Sequence, residues 1–235
     1  MKLNILFIGN SHTYLHYMPR MLVQLMKAAN CGFELEVDQS VGEGASLEWH
    51  WNNEPTRYRI RSRNWDYIVL QDRSGGPLED LISFQKHARL LDAEIKKHGA
   101  ETLLYMTWAN RNRPENSIVL ADAYRQMADE LGAYLVPVGL AWAKAQKISS
   151  ELALHHKDGR HASPVGAYFT ACLFYSVLTN ASPKGLPASL FIEGKKRPDQ
   201  EDAQAFLLQD VAWETVLNSE VGIRNAEVGK KTGLR

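Results

Sequence analysis

Residues 2–13, KLNILFIGNSHT, decide the fold and the place of its chemistry. The apolar run at residues 3–8 has the composition of a buried strand and stops at Gly9. Asn10 and Ser11 follow at once, and a helical pattern opens shortly afterwards. In an open α/β fold, such a strand-to-helix turn lies at the carboxyl edge of the sheet, where ligands bind. We therefore interpret Ser11 as a nucleophile.

Apolar strand patterns alternate with helical patterns along the rest of the chain. After the opening strand, further strands are predicted over residues 33–38, 65–71, 102–106 and 134–138. Helices are predicted over residues 19–30, 78–98, 117–131, 140–147, 165–178 and 199–218. This alternation predicts an α/β fold, with a mostly parallel sheet of about five strands and helices on both faces. We predict one domain, residues 1–220, and a polar C-terminal tail, residues 221–235.

Composition argues against several classes of function. Lys+Arg and Asp+Glu number 27 each, so no global charge favours binding to nucleic acid or to an anionic membrane. Cys31 and Cys172 make neither a disulfide framework nor a metal-binding spacing. No apolar stretch is long enough to span a bilayer, and the opening residues lack a signal-peptide pattern. We expect a cytoplasmic protein whose partner is a small molecule; its oligomeric state does not follow from the sequence.

A serine hydroxyl needs a base to take its proton, and the base needs an orienting partner. The best base in the sequence is His161, in the motif DGRH at residues 158–161. Asp158 and His161 on one turn can face each other, so that the carboxylate holds one imidazole nitrogen protonated and leaves the other toward Ser11. The segment follows the last predicted strand of the sheet and belongs at its carboxyl edge. The alternative is a surface turn without chemistry; the coincidence with the Ser11 turn favours catalysis.

An acyl-transfer site also needs donors for the oxyanion, each worth roughly 3–4 kcal/mol of barrier in subtilisin. The backbone N–H of Ser11 is one, and that of Gly42 or Gly44 is another, since glycine lets a backbone approach closely. A third donor is expected after the second buried strand, where Gln71 carries a side-chain amide. Gln71 can equally be a buried strand-end amide, and Asn10 can hydrogen-bond the loop and hold its shape.

Other side chains at the carboxyl edge of the predicted sheet allow more than one interpretation. Trp49 and Trp108 lie in or near edge loops, where aromatic faces can stack on a sugar ring or an acyl chain, or can simply cover the core. The adjacent His155 and His156 cannot easily face one ion from a regular element, and no carboxylate cluster accompanies them. We therefore predict no metal and no cofactor.

Three of these stretches resemble the sequence blocks of the GDSL/SGNH hydrolase superfamily of esterases and lipases. The motif GNSHT at residues 9–13 resembles the first block, GEGAS at residues 42–46 the second, and DGRH at residues 158–161 the last. They occur in the family's order. The third block departs, because many members carry Gly-x-Asn-Asp after the strand, with the asparagine donating to the oxyanion, whereas this chain has Gln71 and Asp72.

The resemblance implies a three-layer α/β/α sandwich of flavodoxin-like type and ester hydrolysis through a serine acyl-enzyme without metal. It implies Ser11 as nucleophile, His161 as base, Asp158 as its orienting acid, and the Gly44 N–H as an oxyanion donor. A glutamine in the third block is similar to the Gln-Gly-Glu type motif of carbohydrate acetylesterase branches, so we expect Gln71 to donate and an acetylated carbohydrate to be the substrate. The alternatives are a lipase or thioesterase of the same superfamily and a non-catalytic ligand-binding module.

Overall fold

A single parallel sheet forms the centre of the molecule. The computed structural model describes residues 2–30, 32, 34–198 and 200–218, so the predicted tail at residues 221–235 lies outside the described residues. Five strands pair in parallel in the order β2-β1-β3-β4-β5. They are β1 (Lys2–Gly9), β2 (Glu34–Val41), β3 (Tyr67–Leu70), β4 (Glu101–Tyr105) and β5 (Tyr134–Val136). The prediction of a mostly parallel, five-stranded sheet is confirmed.

Helices cover both faces of this sheet. They are α1 (Ser11–Tyr14), α2 (Met18–Ala29), α3 (Leu47–Asn52), α4 (Glu54–Arg61), α5 (Gly76–Glu79), α6 (Leu81–Lys97), α7 (Asn116–Leu131), α8 (Val138–Ile148), α9 (Pro164–Thr179) and α10 (Asp202–Asn218). Helices α2, α8, α9 and α10 enclose one apolar core, and α3, α4, α6 and α7 enclose the other. The predicted α/β/α layering is therefore confirmed. None of the described helices is long and apolar enough to cross a membrane.

The opening strand β1 separates the two cores. Ile5 and Phe7 pack on the side of α2 and α9, whereas Leu6 and Ile8 pack on the side of α6 and α7. All four side chains are fully buried. A strand buried on both faces shows a continuous apolar run instead of alternation, which explains the sequence of residues 3–8.

The register of the central strands brings the functional loops together. Gly9 lies opposite Val41 of β2, and Ile8 lies opposite Leu70 of β3. The three strands therefore end at nearly the same level. The loops that follow them, including Ser11, start side by side at the carboxyl edge of the sheet.

Helix α4, the hairpin of β6 and β7, and the single-turn helices α1 and α5 were not predicted from the sequence. Helix α4 buries only Thr56 and Ile60, too few apolar positions for a clear helical period. Strands β6 (Leu190–Ile192) and β7 (Lys195–Arg197) form a separate antiparallel hairpin. Its turn residues Glu193 and Gly194 both have positive φ angles, 51° and 74°, as a two-residue type I′ turn requires.

Candidate active site

Ser11 opens α1 directly after β1 and is partly exposed. The side chain of Asn10 caps this short helix, with Oδ1 accepting from the backbone N–H of His12 at 3.1 Å. The backbone N–H of Ser11 has no acceptor within the described part of the chain. The turn therefore presents a hydroxyl and an unused N–H at the same point.

The structure brings Ser11, His161 and Asp158 into one hydrogen-bonded array. Ser11 Oγ lies 3.0 Å from His161 Nε2, and His161 Nδ1 lies 2.7 Å from Asp158 Oδ2. An ionised carboxylate only accepts hydrogen bonds, so Nδ1 carries the proton. In the neutral imidazole Nε2 is then an acceptor for the Ser11 hydroxyl. This arrangement can remove a proton from Ser11.

Asp158 is held in its ionised form by local donors. Desolvation raises the pKa of its carboxyl group, but hydrogen bonds from the His161 ring and from the backbone N–H groups of Arg160 and His161 outweigh it and lower the pKa. These two N–H groups lie 2.8 Å and 3.0 Å from Oδ1. His156 Nδ1 lies further away, 3.5 Å from Oδ2. Asp158 therefore carries its negative charge at neutral pH.

The loop that carries Asp158 and His161 is attached to the loop after β4. The backbone N–H of Arg111 donates to the Gly159 carbonyl at 2.8 Å, and Trp108 Nε1 donates to the Arg160 carbonyl at 2.9 Å. Because the β4 loop starts at the carboxyl edge of the sheet, these bonds keep the imidazole at the same edge as Ser11.

His50 supports the nucleophile turn and was missed by the sequence analysis. Its Nε2 donates to the Gly9 carbonyl at 2.9 Å, and its Nδ1 lies 3.1 Å from Thr56 Oγ1. The Gly9 carbonyl also accepts from the Gly42 N–H at 3.2 Å. Burial lowers the pKa of His50 to about 4, so the ring is neutral at neutral pH. No local sequence pattern indicates this role, because Gly9 and His50 are far apart in sequence.

The contacts of Gln71 correct the expectation that its amide donates to the oxyanion. The side chain is fully buried. Oε1 accepts from the Asn10 backbone N–H and from Thr13 Oγ1, both at 2.9 Å. Nε2 donates to Asn10 Oδ1 at 3.0 Å and to the Asp72 carbonyl. With both amide hydrogens used internally, Gln71 is the buried strand-end amide that was the alternative.

Asn10 also points inward instead of toward a ligand. It is 1% exposed, and its Nδ2 donates to the Ala45 carbonyl at 2.9 Å. Its Oδ1 accepts from Gln71 and from the His12 N–H. The side chain therefore lies away from any substrate and holds the shape of the site, as the sequence allowed: it ties together the loops that follow β1, β2 and β3.

The two predicted tryptophans differ in exposure. Trp108 is 2% exposed, stacks on Trp142 with ring centroids 3.9 Å apart, and meets the ring of His12 at 88°. It therefore offers no open face to a sugar, which corrects that expectation. Trp49 is 45% exposed and packs near Gly42, so its part in ligand contact stays a prediction.

Gly44 lies in the turn after β2 with φ of +59°, a left-handed conformation that favours glycine. Among the described residues its backbone N–H has no acceptor, whereas the N–H of Gly42 is used by Gly9. Of the two glycines, Gly44 is thus the one with a free donor. Ligand clusters for a metal, meaning three or more His, Cys, Asp or Glu side chains, do not occur within the described residues.

Comparison with known proteins finds the same fold among solved structures. No protein-family profile and no curated protein matches the sequence. Among solved structures, a DUF4886 family protein from Bacteroides uniformis superposes with a TM-score of 0.75 at 20% identity, covering 93% of this chain and 96% of its own. A protein from Slackia heliotrinireducens described as a candidate SGNH hydrolase gives 0.63 at 26% identity, covering 75% and 98%. The chain therefore has the fold of the SGNH hydrolases among these structures.

An acetyl xylan esterase, AlAXEase, also shares the SGNH fold, with a TM-score of 0.62 at 16% identity over 75% of this chain and 100% of its own. The chain differs from the SGNH sequence pattern in the third block, at the end of β3. Asp72, which follows Gln71, is buried and accepts from the backbone N–H groups of Leu47 and Arg73 at 3.0 Å and 2.9 Å. Both residues at the end of β3 are therefore engaged inside the protein.

Proposed function

We propose that this protein is a serine ester hydrolase that acts through an acyl-enzyme intermediate. One observation carries the proposal: the 3.0 Å contact between Ser11 Oγ and His161 Nε2, continued by the 2.7 Å contact between His161 Nδ1 and Asp158 Oδ2. A hydroxyl, a base and an orienting carboxylate in this order are the functional unit of serine hydrolases on unrelated folds.

In the proposed reaction, Ser11 Oγ attacks the ester carbonyl carbon while His161 Nε2 takes the hydroxyl proton. The C–O bond to the alcohol then breaks, and the imidazolium returns that proton to the leaving oxygen, which leaves the acyl group on Ser11. Water then attacks the acyl carbonyl while His161 takes one of its protons. The bond between the acyl carbon and Ser11 Oγ breaks, the imidazolium returns the proton to Oγ, and the acid is released. Asp158 stabilises the imidazolium that forms twice in this cycle.

The proposed oxyanion donors are the backbone N–H groups of Ser11 and Gly44. Neither group has an acceptor within the described chain, and both belong to loops that start at the carboxyl edge of the sheet. Donors already fixed by the backbone need no rearrangement when charge develops on the carbonyl oxygen. Because the Gln71 amide is engaged internally, the proposal assigns no side-chain donor in place of the asparagine that many SGNH members carry.

We further propose that the substrate is a small ester such as an acetylated carbohydrate. The exposed ring of Trp49 stands on the first helix after the Gly44 turn, where it can cover the apolar face of a sugar. An acetyl xylan esterase among the structures with this fold supports the same substrate class. The support lies in one aromatic side chain and one likeness of fold.

Hydrolysis of p-nitrophenyl acetate by the purified protein and by the Ser11→Ala variant tests the reaction. The proposal predicts that Ser11→Ala lowers kcat by at least about 10⁴-fold, because the nucleophile is absent. The matched control is Ser150→Ala, which makes the same change at an exposed position. Equal rates for wild type and Ser11→Ala would refute the proposed nucleophile and favour the ligand-binding module.

A series of p-nitrophenyl esters with increasing acyl length, followed by acetylated xylose, tests the substrate class. The proposal predicts the highest kcat/KM for acetyl. A maximum at long chains would instead favour a lipase or thioesterase.

A further inference from the structure

His12 follows the nucleophile directly and has no part in the proposed reaction. Its ring lies almost parallel to that of His161, with an interplanar angle of 28° and centroids 5.4 Å apart. The other neighbour is Trp108, whose ring meets it at 88° with centroids 4.8 Å apart. His12 thus fills the space between the base and a buried tryptophan.

His12 is buried, and its backbone is held by two hydrogen bonds. His12 is 6% exposed, its backbone N–H is held by Asn10, and its carbonyl accepts from Tyr105 Oη at 3.2 Å. Trp108 stacks in turn on Trp142 with centroids 3.9 Å apart and an angle of 7°. His161 therefore rests on a column of packed rings that reaches into the core.

The loop that carries the base His161 contacts three rings outside it. These contacts are made by the consecutive residues 160, 161 and 162. The Arg160 carbonyl accepts from Trp108 Nε1 at 2.9 Å, and the Ala162 carbonyl accepts from His16 Nε2 at 3.1 Å. Between them, the His161 ring faces His12. The two carbonyl contacts hold the backbone on either side, and the third is made by the imidazole itself.

His12 is suited to pack against a neighbouring side chain and not to act as an acid or base. Its Nδ1 is buried with no hydrogen-bond partner among the described residues. Burial and the nearby His161 and Arg160 charges lower the pKa of His12 to about 3, so the ring is neutral at neutral pH. A neutral ring adds no positive charge beside the imidazolium that His161 becomes during the reaction.

We propose that His12 is a positioning residue, whose neutral ring packs beside the His161 imidazole and holds it in line with Ser11. This inference rests on the proposed function. What matters in it is an uncharged aromatic ring at position 12, not the histidine nitrogens. Small misplacements of a catalytic group can cost about 10²-fold in rate, so the loss of this support should act on kcat.

The test compares His12→Ala with His12→Phe in the p-nitrophenyl acetate assay. We expect His12→Ala to lower kcat about 10- to 100-fold with KM within about twofold, and His12→Phe to keep kcat within about threefold of wild type. The control is His87→Ala, which removes a buried histidine on α6 and should lower thermal stability without lowering kcat. Unchanged kcat in His12→Ala, or equal losses in both His12 variants, would overturn the inference.

A second measurement needs no substrate and separates this inference from the proposed function. Carbon-13 relaxation at His161 Cε1 reports the order of the imidazole ring on the picosecond–nanosecond timescale. We expect the same order in wild type and His12→Phe, and lower order in His12→Ala. A ring equally ordered in all three proteins would refute positioning by His12, even in a protein that hydrolyses esters. An inactive wild type with a ring disordered only in His12→Ala would refute the reaction alone.

Discussion

At the scale of single residues, the two oxygens of Asp158 have separate tasks. Oδ1 accepts from the backbone N–H groups of Arg160 and His161 and so shapes the turn. Oδ2 faces His161 Nδ1 and so sets the tautomer. One short side chain therefore builds the loop and orients the base that the loop carries.

Asp158→Asn separates these tasks. The amide oxygen can still accept from the two backbone N–H groups, but its NH₂ group cannot accept from His161 Nδ1–H. We expect a protein with nearly unchanged thermal stability and with kcat lowered by about 10³- to 10⁴-fold, because the imidazole loses its correct tautomer. Steady-state kinetics and thermal melts check this. An Asp158→Asn variant with wild-type kcat would show that Asp158 only shapes the turn.

The sequence could predict some residues of the site and not others, for a physical reason. Ser11, Asp158 and His161 carry their chemistry in local motifs, and the topology of a parallel sheet brings those motifs to one edge. Gln71 and Asn10 carry an equally suitable amide, but whether it faces inward depends on partners far away in the sequence. Composition alone cannot distinguish a donor aimed at a substrate from one used inside the protein.

At the scale of elements, the end of β3 holds the turn after β1 in place. The side chain of Gln71 bonds the backbone and side chain of Asn10 and the hydroxyl of Thr13. A Cβ at Gly9 would lie 2.4 Å from Gln71 Oε1, so only glycine allows this close approach. The position of Ser11 is therefore fixed from the neighbouring strand as well as from its own.

Gln71→Met tests this structural role with a side chain of similar size. It leaves buried donors of Asn10 and Thr13 unpaired, and we expect a loss of about 2–4 kcal/mol in the free energy of unfolding. We expect kcat, measured well below the melting temperature, to fall less than about tenfold. Urea unfolding and steady-state kinetics check both values, with Gln85→Met on the partly exposed side of α6 as control.

A large loss of kcat with little loss of stability would contradict the structural role of Gln71. An oxyanion donor is expected to cost about 10²- to 10³-fold in kcat when removed, with little effect on stability. Such a result for Gln71→Met would identify the Gln71 amide as an oxyanion donor.

The elements themselves were predictable to different degrees. The strands and longer helices follow from apolar runs and helical periods, which act locally. Helix α4 buries too few residues to show a period, and the three-residue strands β6 and β7 are too short for one. Only the Asn53 cap with Pro55 in the first turn, and Gly194 at the hairpin turn, mark these elements in the sequence.

At the scale of the whole molecule, buried titratable groups determine the response to acid. Burial lowers the pKa of His12 to about 3 and that of His50 to about 4, from 6.5. The unfolded chain therefore binds protons below pH 6.5 that the folded chain does not. The free energy of unfolding consequently decreases as the pH is lowered. Asp72 acts the other way, because burial raises the pKa of its carboxyl from 3.8 to about 6 and the folded state keeps that proton longer.

These three groups predict that the free energy of unfolding falls by about 3 kcal/mol between pH 7 and pH 4. Asp72→Asn removes the opposing contribution, while its amide oxygen can still accept from Leu47 and Arg73. We expect this variant to be more stable than wild type at pH 7 and to lose stability more steeply toward pH 4. Urea unfolding at a series of pH values checks this, and a shallower slope for Asp72→Asn would contradict it.

Covalent labelling shows whether Ser11 is the residue that becomes acylated. A fluorophosphonate reacts with an activated serine by forming an O–P bond as fluoride leaves. After incubation with the probe, proteolysis and mass spectrometry locate the added mass. We expect a label on Ser11 in wild type, and none at residue 11 or on another serine in Ser11→Ala. An unlabelled Ser11, or a label elsewhere, in a protein that hydrolyses p-nitrophenyl acetate would contradict this expectation.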